Sequence, residues 1–187
     1  MMRTGILPVG KTDSGILNRI AENLRMVFAE AEIALTSESL PVPEEAFSKT
    51  RQQYRSDTIL NAIRGFAEND DFVRVLGVAD VDLFLPRLNF VFGQADCPGR
   101  AALISLFRLR PESYGRPSDV EITIERGTKE AMHEIGHTLG LEHCANPFCV
   151  MYFSNSIFET DRKQSLFCNK CYLKAQATAV ESGKKLD

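Results

Sequence analysis

The stretch His133–Cys144, HEIGHTLGLEHC, contains all three histidines of the 187-residue chain and ends in a cysteine. Residues four apart lie on one face of a helix, so His133 and His137 can present two imidazoles to one ion. Glu134 follows His133 and can reach a water molecule on that ion without being a ligand itself. The stretch therefore predicts a metal site carried by a helix.

The residues after this pair supply a third ligand. Gly140 comes three residues after His137, and glycine accepts left-handed backbone at little cost, so it can end the helix and bring His143 back. Three nitrogen ligands leave one position open for water, which is the catalytic pattern of zinc. A histidine pair with this spacing also arises by accident on helix surfaces. The glycine and the third histidine favour a catalytic zinc held by His133, His137 and His143.

Four of the five cysteines follow as C-x4-C and C-x2-C, eighteen residues apart: Cys144, Cys149, Cys168 and Cys171. Two close pairs with a longer gap are typical of a structural zinc with four thiolate ligands. The alternatives are two disulfides or four unrelated thiols. The N-terminus MMRTGILPVG is too weakly apolar for a secretory signal, so we expect a cytoplasmic protein, in which disulfides are disfavoured. We therefore expect two zinc ions per chain, one catalytic and one structural.

Apolar runs and amphipathic stretches alternate along the chain, which predicts an α/β fold with a mixed, mostly parallel sheet and backing helices. The predicted strands are 6–9, 33–35 and 73–78, with a hairpin inside 88–109. The predicted helices are 14–31, 56–68, an active-site helix at about 118–140 capped by Ser118, and a C-terminal helix at 166–180. Residues 37–47, with two prolines, predict a loop.

The length fits one domain, 1–187. We expect residues 1–140 to form an upper part with the sheet and the active-site helix. Residues 141–187 would form a lower part with the cysteine site and the C-terminal helix.

HEIGHTLGLEH matches the HExxHxxGxxH pattern of the metzincin metallopeptidases, and the chain resembles them. The resemblance implies that Met151 forms the turn beneath the metal. Some metzincins place a tyrosine ligand two residues after that methionine. Here the residue is Phe153, and Tyr152 is one position out of register, so we expect three protein ligands only.

The cysteines on either side of CVMYFSN extend the resemblance to the archaemetzincins, which have a second zinc site of four cysteines threaded through this turn. The motifs span about 40 residues, 130–171. This resemblance implies a metzincin-like fold, a catalytic zinc and metallopeptidase activity, with aminopeptidase action on short peptides for some members. In metzincins an edge strand above the cleft binds the peptide, and here LNFVFGQA offers Phe90, Val91, Phe92, Gly93 and Gln94. An edge strand without a ligand is an equal alternative.

Three further residues have two interpretations each. Cys97, the fifth cysteine, is either a free thiol or a reversible fourth zinc ligand. Asp80 and Asp82 are either acids in the cleft or solvated residues at a strand end. For Cys97 a free thiol is favoured. For Asp80 and Asp82 a solvated position at a strand end is favoured.

The net charge of −3 and the pI near 5.7 indicate neither nucleic acid nor an anionic membrane as a partner, and no apolar run is long enough to span a bilayer. We expect a monomer that acts on peptides, with Glu134 as the general base. The alternatives are a zinc- or peptide-binding protein with little turnover, and a zinc hydrolase for a non-peptide bond. The presence of Glu134 favours an enzyme, because a metal store has no use for a base there.

Overall fold

A computed structural model describes residues 3–28 and 31–183. Within these residues the strands are β1 (Arg3–Val9), β2 (Glu32–Leu35), β3 (Phe47–Ser48), β4 (Gln53–Arg55), β5 (Arg74–Ala79), β6 (Leu83–Phe84), β7 (Gly93–Ala95) and β8 (Ala101–Ser105). The α-helices are α1 (Ser14–Val27), α2 (Ser56–Glu68), α3 (Val120–Thr138), α4 (Ile157–Arg162) and α5 (Asn169–Gly183).

The main sheet has the order β2-β1-β5-β8-β7. Its first four strands are parallel, and β7 runs antiparallel to β8 at the edge. Every residue of β5 and β8 is buried, as expected for parallel strands that are covered on both faces. The mixed, mostly parallel sheet predicted from the sequence is thus confirmed, including the hairpin of β7 and β8.

Helices cover both faces of this sheet. Helices α1 and α3 pack on one face, where Ile6 and Leu76 contribute to the larger apolar core. Helix α2 packs on the other face, where Leu7 and Val75 point. The alternation of Ile6 and Leu7 between the two cores follows from the two-residue period of a strand. None of the described helices combines the length and the apolar character that crossing a bilayer would require.

A second, three-stranded sheet, β3-β4-β6, was not predicted, because strands of two or three residues are too short to show a period. It holds the segment 85–92 in place. Arg51 donates to the carbonyls of Leu88 and Asn89, and Gln53 also donates to the Asn89 carbonyl, each at 2.9 Å. Part of the loop predicted at 37–47 forms a short 3-10 helix, Glu44–Ala46, before β3 begins at Phe47.

The helices differ from prediction mainly at their ends. Helix α2 has the predicted bounds, whereas α1 ends at Val27, short of residue 31; residues 29 and 30 lie outside the described part. The cap of α3 is Asp119 instead of Ser118, because the Asp119 carboxylate accepts from the Ile122 N–H at 3.1 Å.

In the lower part, α4 lies before the C-terminal helix, where no helix was predicted from the sequence. It begins with a capping box, in which the Ser156 N–H donates to the Glu159 carboxylate at 2.9 Å. Helix α5 is shifted towards the C-terminus and spans Asn169–Gly183 instead of 166–180.

Candidate metal centre and catalytic cavity

Helix α3 runs beneath the β7–β8 side of the main sheet and presents His133, Glu134 and His137 to a cavity of about 450 Å³. His133 and Glu134 are each 5% exposed, because the sheet, α1 and the segment after α3 surround the second half of the helix. The i, i+4 spacing thus places both imidazoles on one buried face.

Backbone carbonyls fix the protonation of these two rings. Nδ1 of His133 lies 2.8 Å from the Val150 oxygen, and Nδ1 of His137 lies 2.7 Å from the Leu141 oxygen. Because a carbonyl can only accept, each Nδ1 carries the proton and each Nε2 keeps a lone pair.

The two Nε2 atoms are 3.1 Å apart. Lone pairs this close repel one another unless a cation lies between them. Zinc–nitrogen bonds of about 2.0–2.1 Å at a tetrahedral angle place two nitrogens roughly 3.3 Å apart, so the pair fits zinc.

The third imidazole arrives through the predicted glycine turn. Gly140 has a φ of +80°, and the N–H of Leu141 donates to the Gly136 carbonyl at 3.1 Å, which closes the end of α3. One ligand nitrogen from each of the three histidines lies within 4.8 Å of the others. Burial lowers the pKa of His133, His137 and His143, which favours the neutral, metal-binding form of each ring.

Phe153 occupies the position where some metzincins have a tyrosine ligand. Its ring packs against His143 with the centroids 4.8 Å apart and offers no ligand atom. Tyr152 is not among the residues that line the cavity. The described residues therefore gather three histidine side chains here that could hold one metal ion.

Met151 lies directly beneath α3 and is fully buried. A Cβ at Gly136 would collide with the Met151 sulfur, so a glycine between His133 and His137 lets the turn approach the helix closely. The turn also contains Val150, whose carbonyl accepts from His133. The methionine thus supports the histidine face from below.

The sulfur atoms of Cys144, Cys149, Cys168 and Cys171 form a second cluster, also within 4.8 Å of one another, and none is in a disulfide. The N–H of Cys144 donates to the Met151 carbonyl at 2.9 Å, so the cluster and the methionine turn are joined. Hydrogen bonding by the Cys171 N–H lowers the pKa of the Cys168 thiol to about 7. Four converging sulfurs fit a closed, tetrahedral zinc site.

Glu134 lies between the histidines and β7. Burial raises the pKa of Glu134 well above its usual range, the charge of Glu130 raises it further, and Lys163 opposes both. At Gly93 a Cβ would lie 2.6 Å from the Glu134 Oε1, so only a glycine fits beside this carboxylate.

The five residues proposed for peptide binding, Phe90, Val91, Phe92, Gly93 and Gln94, all line the cavity. The strand itself begins only at Gly93, so the expectation of a strand from Phe90 is wrong for its first three residues. Arg51 and Gln53 bind the backbone just before them, which holds this segment as a wall. Gln94 accepts a hydrogen bond from Ser56 at 2.7 Å.

The remaining candidates are located away from the histidine nitrogens. Cys97 lines the cavity, but its thiol donates to the Leu141 carbonyl at 3.5 Å and does not belong to the ligand cluster. Asp80 and Asp82 are not cavity acids, and the expectation that they are merely solvated is also wrong, because Arg110 and Arg108 bind them through paired hydrogen bonds.

Sequence patterns did not single out Glu130 and Lys163, which form a buried ion pair next to the cavity. The available signal was the position of Glu130, four residues before Glu134 on the same helix face.

Comparison with known proteins agrees with this geometry. The model of peptidase family M54 matches residues 2–177. The archaemetzincin of Methanocaldococcus jannaschii is 43% identical over 180 residues, covering 96% of this chain and 96% of that protein. The archaemetzincin of Pyrococcus furiosus is 41% identical over 174 residues, covering 91% of each.

Solved structures show the same fold. The crystal structure of an archaemetzincin from Methanopyrus kandleri is 38% identical, covers 95% of each chain and superposes with a TM-score of 0.82. A zinc-dependent peptidase from Methanocorpusculum labreanum is 30% identical, with a TM-score of 0.83 over 92% of this chain and 99% of that one. An archaemetzincin from Archaeoglobus fulgidus, crystallised with malonate, is 36% identical over 92% of this chain and 99% of that one, with a TM-score of 0.79.

Proposed function

Because the chain belongs to peptidase family M54, the archaemetzincins, and is therefore a zinc metallopeptidase, we propose that it hydrolyses short peptides with Glu134 as general base. The observation that carries this proposal is the position of Glu134. Its carboxylate lies beside three converging imidazoles and against the edge strand β7, in a cavity that all of these residues line.

In this proposal His133, His137 and His143 hold the catalytic zinc, and the four cysteines hold a second, structural zinc. The donor sets support this assignment, since both are complete and differ in chemistry: neutral imidazoles at the cavity and thiols beneath it. A zinc ion at the histidines would supply a Lewis acid for the scissile carbonyl and acidify a water molecule.

The protein groups have separate tasks. The Glu134 carboxylate takes the proton from the attacking water and passes it to the leaving amine. The free edge of β7, with the wall 90–92, holds the peptide through main-chain hydrogen bonds. Met151 positions the histidine face without contacting the substrate. Removal of N-terminal residues from short peptides is included in the proposal because the family resemblance implies it.

A cytoplasmic location completes the proposal. Its support is the state of the cysteines, which are thiols in a ligand-like cluster with Cys144 and Cys168 3.9 Å apart, not disulfides.

The substitution Glu134→Gln tests the base. Glutamine keeps the shape but cannot accept the proton, so peptide cleavage should fall by about 10²–10⁴-fold while zinc content is unchanged. The measurement is digestion of a peptide library together with metal analysis of the same samples. Glu121→Gln, the same change at the exposed start of α3, is the matched control and should cleave like the wild type. Full activity in Glu134→Gln would contradict the assignment.

A further inference from the structure

A buried polar cluster lies next to the cavity and takes no part in the proposed mechanism. It consists of Glu130, Thr160 and Lys163, and Ser154 lines the same cavity as Glu130. Glu130 lies one helical turn before Glu134, lines the same cavity and is only 3% exposed. Lys163 follows α4 and is 1% exposed, with its side chain completely buried.

The two oxygens of Glu130 differ in their contacts. Oε1 accepts a hydrogen bond from the Thr160 hydroxyl at 3.0 Å and lies 2.9 Å from Nζ of Lys163. Oε2 receives no hydrogen bond from any described residue, although Glu130 lines the cavity. One oxygen is therefore anchored by α4 and the residue after it, while the other is left as an acceptor for a ligand.

Two donors that lie near the cavity also have unused hydrogen-bonding capacity. The ammonium of Lys163 forms an ion pair with Oε1 at 2.9 Å and has no other acceptor among the described residues, although an ammonium can donate three hydrogen bonds. The hydroxyl of Ser154, which lines the cavity, is buried and unpartnered in the described part. Unmade hydrogen bonds of buried groups cost free energy, so each of these groups would gain from a bound polar molecule.

Stability alone does not explain this arrangement. An apolar pair of similar volume is often at least as stable as a buried ion pair, because the ion pair loses the hydration of both charges. What the ion pair does provide is a carboxylate at the cavity wall whose charge is already compensated by Lys163.

We propose that Glu130 and Ser154 form a side-chain subsite for an uncharged hydrogen-bonding group, an amide or a hydroxyl, on a peptide residue near the scissile bond. Such a group donates to Oε2 of Glu130 and accepts from the Ser154 hydroxyl. Lys163 is a positioning residue that holds Glu130 and cancels its charge. A cationic side chain would add an uncompensated charge near Lys163, and an acidic one would face both Glu130 and Glu134.

This subsite rests on the proposed function, since it takes part of a peptide, but binding tests it without turnover. Paired peptides that differ only in glutamine or methionine at one position are titrated, by fluorescence anisotropy, into zinc-loaded Glu134→Gln protein. A hydrogen bond to a charged group predicts that the glutamine peptide binds ~10-fold or more tightly at one position. Arginine and aspartate at that position should bind more weakly than glutamine.

The charge-neutral double variant Glu130→Leu/Lys163→Met should lose the glutamine preference and still fold, because both charges leave together. Ser154→Ala, which disturbs less, should reduce the preference. The matched control is Glu125→Leu/Lys129→Met, which removes an ion pair of 2.7 Å from the same helix, away from the cavity. It should keep the preference.

Equal binding of glutamine and methionine peptides at every position would overturn the subsite. So would a preference that survives in the Glu130→Leu/Lys163→Met variant, or tighter binding of arginine or aspartate. If the wild type cleaves no peptide but the glutamine preference is present, the proposed function fails and the subsite stands.

Discussion

At the residue scale, Gly93 approaches the Glu134 carboxylate so closely that no side chain fits between them. The position of a Cβ at residue 93 would be 2.6 Å from both the Glu134 Oε1 and the backbone oxygen of Leu103. The second atom belongs to the sheet and cannot move easily, so a side chain here must displace the carboxylate. The glycine therefore positions the proposed base as much as it shapes the strand.

Gly93→Ala should lower kcat by about 10²-fold with zinc content unchanged, since a displacement near 1 Å of a catalytic group has that effect. Kinetics and metal analysis on the same preparation check this. Gly65→Ala is the control, because nothing lies within 4 Å of a Cβ at that position in α2. A kcat equal to that of the wild type in Gly93→Ala would show that Glu134 does not depend on this contact.

The histidines predict how zinc binding depends on pH. A proton competes with the metal for each Nε2, and burial lowers the pKa of all three histidines below the ordinary 6.5. Lowered pKa values keep the rings neutral as the pH falls, so affinity at this site should hold to below pH 6.5 and decline only in more acidic solution. Zinc titrations between pH 8 and pH 5 measure it. A decline that starts above pH 6.5 would contradict the prediction.

At the element scale, the cysteine cluster joins the methionine turn to the start of α5. The Cys168 N–H donates to the Cys149 sulfur at 3.3 Å, and the Val150 N–H donates to the Leu166 carbonyl at 3.0 Å. Apart from α4 and α5, this lower part has little regular secondary structure to hold it. A zinc ion there would contribute directly to folding free energy, whereas α3 packs against the sheet in any case.

Cys168→Ser and Cys171→Ser should therefore destabilise the protein more than His143→Ala does. Loss of a structural metal belongs to the class of changes that cost more than about 4 kcal/mol. In a chain of this length that lowers Tm by roughly 8 °C or more. Thermal melts compare the variants, with Cys97→Ser, an exposed thiol outside the cluster, as the control. Cysteine variants that melt like the wild type would remove the structural role.

At the scale of the whole molecule, the two metal sites should differ in how readily they lose zinc, because their ligands differ in chemistry. Elemental analysis should give about two zinc equivalents per chain, given two complete ligand sets. A chelator should remove the histidine-bound zinc first, because thiolates hold zinc more tightly and the cysteine site is closed. Peptide cleavage should disappear with the first equivalent and Tm should fall with the second. A single equivalent after reconstitution, or activity that survives the first loss, would contradict this order.

Local geometry explains what the sequence by itself determined. The i, i+4 pair and the glycine turn lie within or next to α3, and the two cysteines of each pair are only a few residues apart, so residue spacing largely decides which atoms of each motif can meet. The amphipathic helix α2 has its predicted bounds for the same reason. The alternation of apolar runs with amphipathic stretches likewise predicted a mixed, mostly parallel sheet with backing helices. Parallel strands that are covered on both faces are apolar along their whole length, so the sequence alone reveals them.

Only the tertiary structure decided the rest. The pairs Glu130–Lys163, Asp82–Arg108 and Asp80–Arg110 join residues far apart in sequence, and no periodicity encodes them. The start of β7 was placed three residues too early because Arg51, in the turn between β3 and β4, and Gln53 of β4 hold the backbone of the preceding wall. Such contacts depend on how the elements pack against one another, and packing is a property of the whole chain.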